Sequence, residues 1–229
     1  IETLGHSEQQ GYRYLISHRG RDRADRLLEI SGYIGPAPVS LESYTAMFEW
    51  VASQPQTIST GEVRKSLSEL VLPQEAVEIA GMAVSSGRSL FLSGPSGNGK
   101  TSIGRCLHNV TQGDIWIPYC IAVEHNIIHL FDSHCHHPVP VESAQALDSR
   151  WIKIKRPFVV AGGEMTLESL DMAYLPSLRY YEAPLHMKAN GGTFLIDDFG
   201  RQHVDPTALL NRWIIPLEHR IDFLTLYGG

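Results

Sequence analysis

Cysteine is scarce in this chain of 229 residues, which carries only Cys106, Cys120 and Cys135. An odd, widely spaced set of three thiols argues against a disulfide framework. Apolar runs are short too: none approaches the roughly 20 residues of a membrane-spanning helix, and no secretory signal opens the chain. These absences predict a protein of the reducing cytoplasm with no membrane span.

Positively charged residues are also relatively few. The 19 lysines and arginines are outnumbered by 25 aspartates and glutamates, which gives a formal net charge of −6. Non-specific binding to nucleic acid depends on cations that neutralise phosphates, so this composition disfavours a nucleic-acid partner without excluding one. A hydrophobic content of 43% and a charged content of 19% are typical of a folded globular protein.

Three regions follow one another along the chain. Residues 1–31 combine a predicted strand at 12–17 with a predicted amphipathic helix at 21–30. Residues 32–59 begin with a Gly- and Pro-rich linker and continue into a helical pattern. Residues 60–229 hold the main core. The chain lacks an initial methionine and stops just after an apolar run, so we expect it to be a fragment of a longer protein.

Apolar periodicity in the main core predicts helices and strands in alternation. Helical patterns cover residues 60–70, 73–85, 102–110, 167–174 and 206–217, and Ser59 with Glu62 fits a capping box at the first of them. Strand patterns cover residues 89–93, 117–123, 127–131, 158–161, 193–196 and 221–226. This order predicts an α/β fold in which helices flank a parallel sheet.

A glycine-rich turn between the strand at 89–93 and the following helix carries the most specific motif of the chain. Its eight residues are Gly94, Pro95, Ser96, Gly97, Asn98, Gly99, Lys100 and Thr101. They satisfy G-x-x-x-x-G-K-[ST] at every fixed position. A chance glycine-rich turn is the alternative, but a strand before the motif and a helix after it favour a phosphate-binding loop, or P-loop.

Each part of this motif has a chemical task in binding a nucleoside triphosphate. The glycines let successive backbone N–H groups point at phosphate oxygens, and the helix N-terminus adds partial positive charge. Lys100 is placed to meet the β- and γ-phosphates, and the Thr101 hydroxyl to ligate Mg²⁺. We expect ATP and Mg²⁺ as cofactors, bound by residues 94–101 and Ser102.

A P-loop needs an acidic residue at the end of a neighbouring strand to hold the metal. The strand at 193–196 ends in Asp197 and Asp198. We expect Asp197 to be the metal partner and Asp198 to orient the attacking water, so that Lys100, Asp197 and Asp198 form the catalytic set. The alternative is that the two aspartates serve only as a turn or a helix cap.

At these two motifs the sequence resembles the AAA+ ATPases. The run at 188–198, KANGGTFLIDD, is similar to the second motif of MoxR-like AAA+ proteins. The runs at 198–202 and 209–218 resemble a bacterial group described as predicted AAA+ ATPases with chaperone-like activity. The resemblance covers residues 60–229. The N-terminal unit resembles the last strand and helix of a winged-helix domain.

The resemblance implies an ATP hydrolase that assembles into a homo-oligomeric ring, often a hexamer, and remodels a protein partner. It makes residues 94–101 the Walker A loop, Asp197 the metal-binding acid and Asp198 the catalytic acid of Walker B. The family more often has Glu at the last position, so the shorter Asp198 leaves the hydrolysis rate open. Sensor residues, an arginine finger and the lid are not found, and we expect the chain to end before them.

Other residues leave alternatives open. Arg212 and Arg220 would face a neighbouring subunit or be ordinary solvated arginines, and the second is favoured because Arg is mostly exposed. Tyr180 and Tyr181 would either contact a partner or belong to the core. The adenine base is expected near Leu72 and the adjacent Val71.

A group rich in histidine raises the question of zinc. Its members are His125, His129, His134, Cys135, His136 and His137. His125 and His129 have the spacing of zinc ligands, but on a strand they would stand roughly 13 Å apart. A polar loop is therefore favoured over a metal site.

The sequence leaves three main functions open, and a P-loop kinase is a more distant alternative because no acceptor-binding site or lid is identified. The first is an AAA+ motor that couples ATP hydrolysis to remodelling of a protein. The second is an ATP-controlled, DNA-associated regulator, which the balanced charge of the N-terminal unit disfavours. The third is a nucleotide-dependent scaffold with little turnover, for which Asp198 in place of Glu is the only hint.

Overall fold

The computed structural model describes residues 2–7, 11–54, 58–95, 97–111, 113–141 and 148–226. Seven α-helices form within them: α1 (His18–Ile30), α2 (Leu41–Ser53), α3 (Thr60–Ser66), α4 (Gln74–Ser85), α5 (Lys100–Val110), α6 (Leu185–Lys188) and α7 (Pro206–His219). The helix predicted at 167–174 is only a short 3-10 helix at Glu168–Leu170. None of the described helices has the length and apolar character needed to cross a bilayer.

The same residues form eleven strands. They are β1 (Glu2–Ser7), β2 (Gly11–Leu15), β3 (Val39–Ser40), β4 (Asp114–Pro118), β5 (Cys120–Val123), β6 (Asn126–His129), β7 (Trp151–Lys155), β8 (Phe158–Ala161), β9 (Ala173–Leu175), β10 (Tyr180–Glu182) and β11 (Thr193–Ile196). The α/β class is thus confirmed, and β2 followed by α1 confirms the strand and helix predicted near the N-terminus. The likeness of that unit to a winged helix stays a prediction.

The described strands form sheets of mixed orientation, not the wholly parallel sheet expected. The largest has the order β3-β5-β6-β10-β9, in which β3 with β5 and β6 with β10 are parallel and the other pairs antiparallel. The two-residue turn at Glu124 and His125 joins β5 to β6 and forces them to run antiparallel. Two further pairs, β1 with β2 and β4 with β7, are antiparallel.

The pair that matters for the candidate site is parallel. Strand β11 pairs with β8 in the register Thr193 to Phe158 through Ile196 to Ala161. Parallel neighbours need a crossover connection, and here residues 162–192 supply it with the 3-10 helix, β9, β10 and α6. The carboxyl ends of β8 and β11 therefore lie side by side.

Two predicted strands are not formed. Residues 89–93 form no strand, and among the described strands β11 pairs only with β8. Residues 221–226 also stay outside any sheet. There the side chain of Asp222 accepts hydrogen bonds from Arg212 and from the backbone N–H of Phe223, so the segment is held by side chains and not by a ladder.

The run predicted as one strand at 117–123 is two strands, because the chain leaves β4 at Tyr119. The N–H of Tyr119 donates to the carbonyl of Arg150, and its own carbonyl accepts from Leu130 and Phe131. The backbone thus exchanges one partner strand for another at this residue, with β4 pairing β7 and β5 pairing β6.

Helix termini follow the local sequence closely. The Ser59 side chain accepts from the N–H of Glu62 while the Glu62 carboxylate accepts from the N–H of Ser59, at 3.2 and 2.8 Å, which confirms the predicted capping box. Asp205 caps α7 by accepting from the N–H of Ala208 at 2.9 Å, and Pro206 occupies the first turn.

Two apolar clusters hold the elements around the candidate site. One packs α3, α4 and α5 together through Val63, Leu67, Ala80, Leu107 and Val110. The other joins the β8–β11 pair to α7 through Ala161, Met165, Leu170 and Leu209, with Phe194 and Ile196 packed against it. Each large buried side chain contributes roughly 1.5–3 kcal/mol, so the helix and the strand that meet at the site are each anchored in a core.

Candidate nucleotide-binding site

The glycine-rich loop turns where its glycines have backbone angles that other residues avoid. Gly97 and Gly99 have φ of 85° and 71°, in the left-handed region that costs a residue with a Cβ extra energy. Gly99 is the residue that precedes the first turn of α5. The loop is largely exposed at Gly94, Pro95, Gly97 and Asn98, whereas Ser96, also predicted to bind nucleotide, lies outside the described residues.

The side chain of Lys100 folds back over this loop. Its ammonium donates hydrogen bonds to the carbonyl oxygens of Gly94 and Pro95 at 3.0 and 2.9 Å. Both acceptors are neutral, and the bonds are solvent-exposed. A full positive charge therefore lies over a solvent-accessible loop at the N-terminus of an eleven-residue helix, which is where protein structure favours anions.

The structure brings Thr101 and Asp197 into direct contact. The Thr101 hydroxyl donates to Oδ2 of Asp197 at 2.6 Å, although 96 positions of sequence separate the two residues. Both oxygens are hard ligands of the kind that Mg²⁺ prefers. Their contact shows that a single ion could reach both side chains.

This contact is the first of three that align α5 with β11. One turn further along α5, Gly104 lies against Leu195, where an added Cβ would stand 3.1 Å from Cδ1 of that leucine. Another turn on, Nδ1 of His108 lies 3.0 Å from the Thr193 hydroxyl. The helix thus runs antiparallel to the strand, and the start of α5 meets the carboxyl end of β11.

Helix α5 also covers β8. The guanidinium of Arg105 lies 5.2 Å from the ring centre of Phe158, and the His108 ring packs on the same phenylalanine at 4.9 Å. Burial, assisted by the charge of Arg156, lowers the pKa of His108 below its ordinary value, so this histidine is a neutral packing group. The helix is therefore held across both strands of the parallel pair.

The chain turns sharply directly after β11. The N–H of Asp197 still donates to the carbonyl of Ala161 at 2.8 Å, as in the ladder, whereas Asp198 has a left-handed φ of 52°. The carboxylate of Asp198 is exposed and lies 3.7 Å from Arg201. Both partners are more than half exposed, so this ion pair adds little stability. The carboxylate is accessible to solvent close to Asp197.

The segment before the loop lies near this turn even though it is not a strand. The Phe91 ring packs edge to face on Phe199, with 5.8 Å between ring centres. Leu90 packs against the cluster of α3, α4 and α5. Ser102 lies exposed on the first turn of α5. Of the predicted site residues, the structure therefore brings together the loop, Thr101 and the two aspartates.

The remaining candidates lie elsewhere. Tyr181 is 1% exposed and belongs to the core, and Tyr180 is half-buried with its ring edge-on to Tyr33. Arg220 is exposed, as expected. The expectation that Arg212 is a solvated arginine is wrong. Its side chain is partly buried and donates to both carboxylate oxygens of Asp222 at 2.6 and 2.8 Å. Arg212 therefore links α7 to the segment that follows it.

The histidine-rich segment is built into a hydrogen-bonded network around Asp132. Nδ1 of His136 accepts from the N–H of Asp132 at 2.9 Å and Nε2 donates to the carbonyl of Lys188 at 2.8 Å, which fixes a neutral ring. His134 bonds Asp132 and His129 bonds Glu182. Among the described residues, no three His, Cys, Asp or Glu side chains are grouped as metal ligands.

At the centre of this network is a buried lysine that sequence reasoning missed. The Lys188 ammonium is 6% exposed and bonds Asp132 and Glu182 at 2.9 and 2.5 Å. Burial alone would lower its pKa, but the two carboxylates outweigh burial and raise it. Burial likewise opposes ionisation of Asp132, yet the bonds from Lys188 and His134 hold the pKa of that carboxyl well below its ordinary value.

No family model matches this chain, and no curated protein matches it either. The resemblance to AAA+ ATPases therefore depends on the chain's own residues at 94–101, 188–202 and 209–218.

Proposed function

We propose that this chain binds Mg-ATP at residues 94–101 and hydrolyses it as an AAA+-type P-loop ATPase. The observation that carries the proposal is the contact between Thr101 and Asp197, at 2.6 Å across 96 positions of sequence. A chance glycine-rich turn would give no reason for its threonine to meet a strand-end carboxylate. A magnesium site requires that meeting.

The phosphates would be held by Lys100 and by backbone N–H groups of the loop. Lys100 now bonds two neutral carbonyls in an exposed setting, and hydrogen bonds between charged groups are roughly twice as strong as neutral ones. The Lys100 ammonium would therefore gain by exchanging its hydrogen bonds to the two carbonyls for hydrogen bonds to phosphate oxygens. A Cβ added at Gly94, Gly97 or Gly99 would meet nothing within 4 Å, so there is open space beside these residues for a ligand.

The metal would be held by the Thr101 hydroxyl and the Asp197 carboxylate, with water and phosphate oxygens completing its coordination. Bound there, Mg²⁺ supplies charge that offsets the negative charge developing on the transferred phosphoryl group. The chain's own part is to keep the two oxygens adjacent, and it does so through the alignment of α5 with β11. Asp198, one residue on, would orient the attacking water.

A ring-shaped homo-oligomer and a remodelled protein partner are further proposals, and they depend on the family resemblance. In such a ring, an arginine of a neighbouring subunit would complete the site, as arginine fingers do in related chemistry. Within the described residues Arg212 is tied to Asp222, so Arg201 and Arg220, which are exposed, are better placed to face another subunit.

A nucleotide-dependent scaffold with little turnover is the second candidate. The observation that favours it is the exposed Asp198, whose short side chain lies 3.7 Å from Arg201. The aspartate side chain is one methylene shorter than that of glutamate, so it reaches less far toward an attacking water. Nucleotide binding is the same in both proposals, and turnover separates them.

The test is ATP hydrolysis by the full chain over a series of protein concentrations, with Lys100→Ala and Asp198→Asn as loss-of-function variants. Lys65→Ala removes an exposed lysine on α3 and serves as the matched control. Specific activity that rises with concentration and is lost in both variants supports a motor assembled from subunits. Binding without turnover at any concentration supports the scaffold, and no ATP binding at all refutes both.

A further inference from the structure

The turn after β11 contains a buried polar side chain to which the motifs assign no role. Gln202 is 9% exposed and is one of three buried polar or charged residues among those described, with His136 and Lys188. Its amide N–H₂ donates to the carbonyl of Asp197 at 2.7 Å, and its amide oxygen accepts from the N–H of Gly200 at 2.8 Å. Only this orientation of the amide satisfies both backbone groups.

The peptide unit that Gln202 contacts joins the two site carboxylates. Its carbonyl is that of Asp197, which accepts from Gln202, and its N–H is that of Asp198, which donates to Oδ1 of Asp197 at 2.9 Å. Both polar groups of one peptide plane are therefore fixed. Because that plane sets the direction of the chain on either side, it also sets where both carboxylates point.

The turn needs such support. Asp198 has a φ of 52° and Gly200 one of 89°, and a left-handed conformation is unfavourable for an aspartate unless surrounding contacts hold it. The backbone contributes one bond, from the N–H of Arg201 to the carbonyl of Asp198 at 2.9 Å. The Gln202 amide ties the start of the turn at Asp197 to its middle at Gly200.

We propose that Gln202 is a positioning residue for ATP hydrolysis: its amide holds the Asp197–Asp198 peptide, so that Asp197 faces Thr101 while Asp198 is presented to water. This role rests on the proposed ATPase function. It assigns Gln202 no contact with nucleotide, because its amide bonds are to residues 197 and 200. Its loss should lower the rate of the chemical step and spare ATP affinity, which comes from the loop.

Two substitutions separate positioning from simple packing. Gln202→Ala removes both amide bonds. Gln202→Glu keeps the shape, but an ionised carboxylate has no proton to donate to the Asp197 carbonyl. Loss of kcat in Gln202→Glu would therefore trace to the missing donor and not to a cavity left by a smaller side chain.

The experiment measures kcat, KM, the Kd for a fluorescent ATP analogue and the melting temperature of the full chain and both variants. The control is Gln54→Glu, an exposed amide whose weak 3.4 Å bond to Trp50 is at the end of α2. We expect kcat to fall roughly 10- to 100-fold in Gln202→Ala, the size of effect that small misplacements of catalytic groups have, with Kd unchanged within about twofold.

Three results would overturn the proposal. Unchanged kcat in both variants would show that the amide does not position the aspartates. A parallel loss of kcat, ATP affinity and melting temperature in both variants would show a packing role only. Absence of ATP binding and hydrolysis in the unaltered chain would remove the proposed function and this role with it, and that result is distinct because it does not depend on Gln202. If Gln202→Ala does not fold, the kcat, Kd and melting temperature of Gln202→Glu, which keeps the side-chain volume, decide.

Discussion

Two lysines of this chain have opposite surroundings. Lys188 is buried, and its ammonium bonds two carboxylates, Asp132 and Glu182. Lys100 lies at an exposed loop, and its described bonds go to the neutral carbonyls of Gly94 and Pro95. The first lysine has its counter-charges inside the protein. The second has a charge that an anion from solution can still neutralise.

This difference separates a charge that the fold itself neutralises from a charge that it leaves without an ionic partner among the described residues. A buried ion pair is costly to desolvate and tolerable only when every charge has a partner, as in the Lys188 network. A binding site must instead keep a charge that a ligand can neutralise. In the proposed site, the Lys100 ammonium bonds only neutral carbonyls at an exposed loop.

The largest effect on stability is expected when the buried lysine is removed. Lys188→Ala leaves Asp132 and Glu182 partly buried and without their cation, so the free energy of unfolding should fall by about 3–5 kcal/mol. Chemical denaturation monitored by tryptophan fluorescence measures this loss. Lys65→Ala, an exposed lysine, should change stability by no more than about 0.5 kcal/mol. Equal effects of the two changes would contradict the structural role of Lys188.

The next largest effect is expected on catalysis. Asp198→Asn removes the carboxylate that would orient water, and kcat for ATP should fall about 100-fold or more, with ATP affinity retained. Asp205→Asn makes the same change seven residues on, where Asn caps a helix as well as Asp does, and should leave kcat within about twofold. If only Asp205→Asn lost activity, the result would show that hydrolysis depends on the turn or on α7, and not on the Asp198 carboxylate.

The Lys188 network should also give stability a characteristic pH dependence. The pKa values of Asp132 and Glu182 are lowered in the folded chain, so their contribution is present above the unfolded value of about 4 and is lost as the pH falls below it. The pKa of Lys188 is raised, so its contribution is present below about 10.4 and is lost as the pH rises through the higher folded value. Unfolding curves from pH 3 to 11 measure both losses.

The Lys188→Met variant provides the control for that pH series. Because methionine does not titrate, the alkaline loss of stability assigned to Lys188 should disappear. Stability that still falls above pH 10.5 by the same amount in the variant would assign the alkaline loss to other groups.

The smallest effect concerns the base of the nucleotide. Leu72 packs against the apolar cluster of α3, α4 and α5. The adjacent Val71 is fully exposed, so it can be changed without disturbing that core. If the adenine packs there, Val71→Asp should weaken ATP binding roughly fivefold, since one aliphatic contact buries only tens of Å² at about 25 cal/mol per Å². Titration calorimetry with ATP and with inorganic triphosphate measures it, and equal weakening for both ligands would argue against a contact with the base.

Much of the local structure could be predicted from the sequence because its causes are local. The capping box at Ser59 and Glu62 and the glycine-rich turn before α5 both act within a few residues. The contact of Thr101 with Asp197 could be anticipated because the motif at 94–101 needs an acidic residue at the end of a neighbouring strand, and the strand at 193–196 ends in Asp197. The AAA+ arrangement itself, with its ring and partner, stays a prediction.

What escaped the sequence is set by partners far away along the chain. An apolar run such as 117–123 does not reveal that the chain changes partner strand at Tyr119. The runs at 89–93 and 221–226 do not reveal that none of the described strands pairs with them. In the sequence, Lys188 is only the first residue of the run at 188–198. Its ion pair with Asp132 becomes visible only in the fold, because 56 positions of sequence separate the two residues. Gln202 was part of the resemblance, but only the geometry of its two amide bonds suggests a task.

The most direct test of the account is the equilibrium affinity of the full chain for Mg-ATP, measured beside Lys100→Ala and Lys65→Ala. Both variants lose one lysine, so a general effect of net charge would act on them alike. We expect the unaltered chain and Lys65→Ala to bind with similar affinity and Lys100→Ala to bind at least about 100-fold more weakly. Equal affinity in all three, or no binding by the unaltered chain, would contradict this expectation.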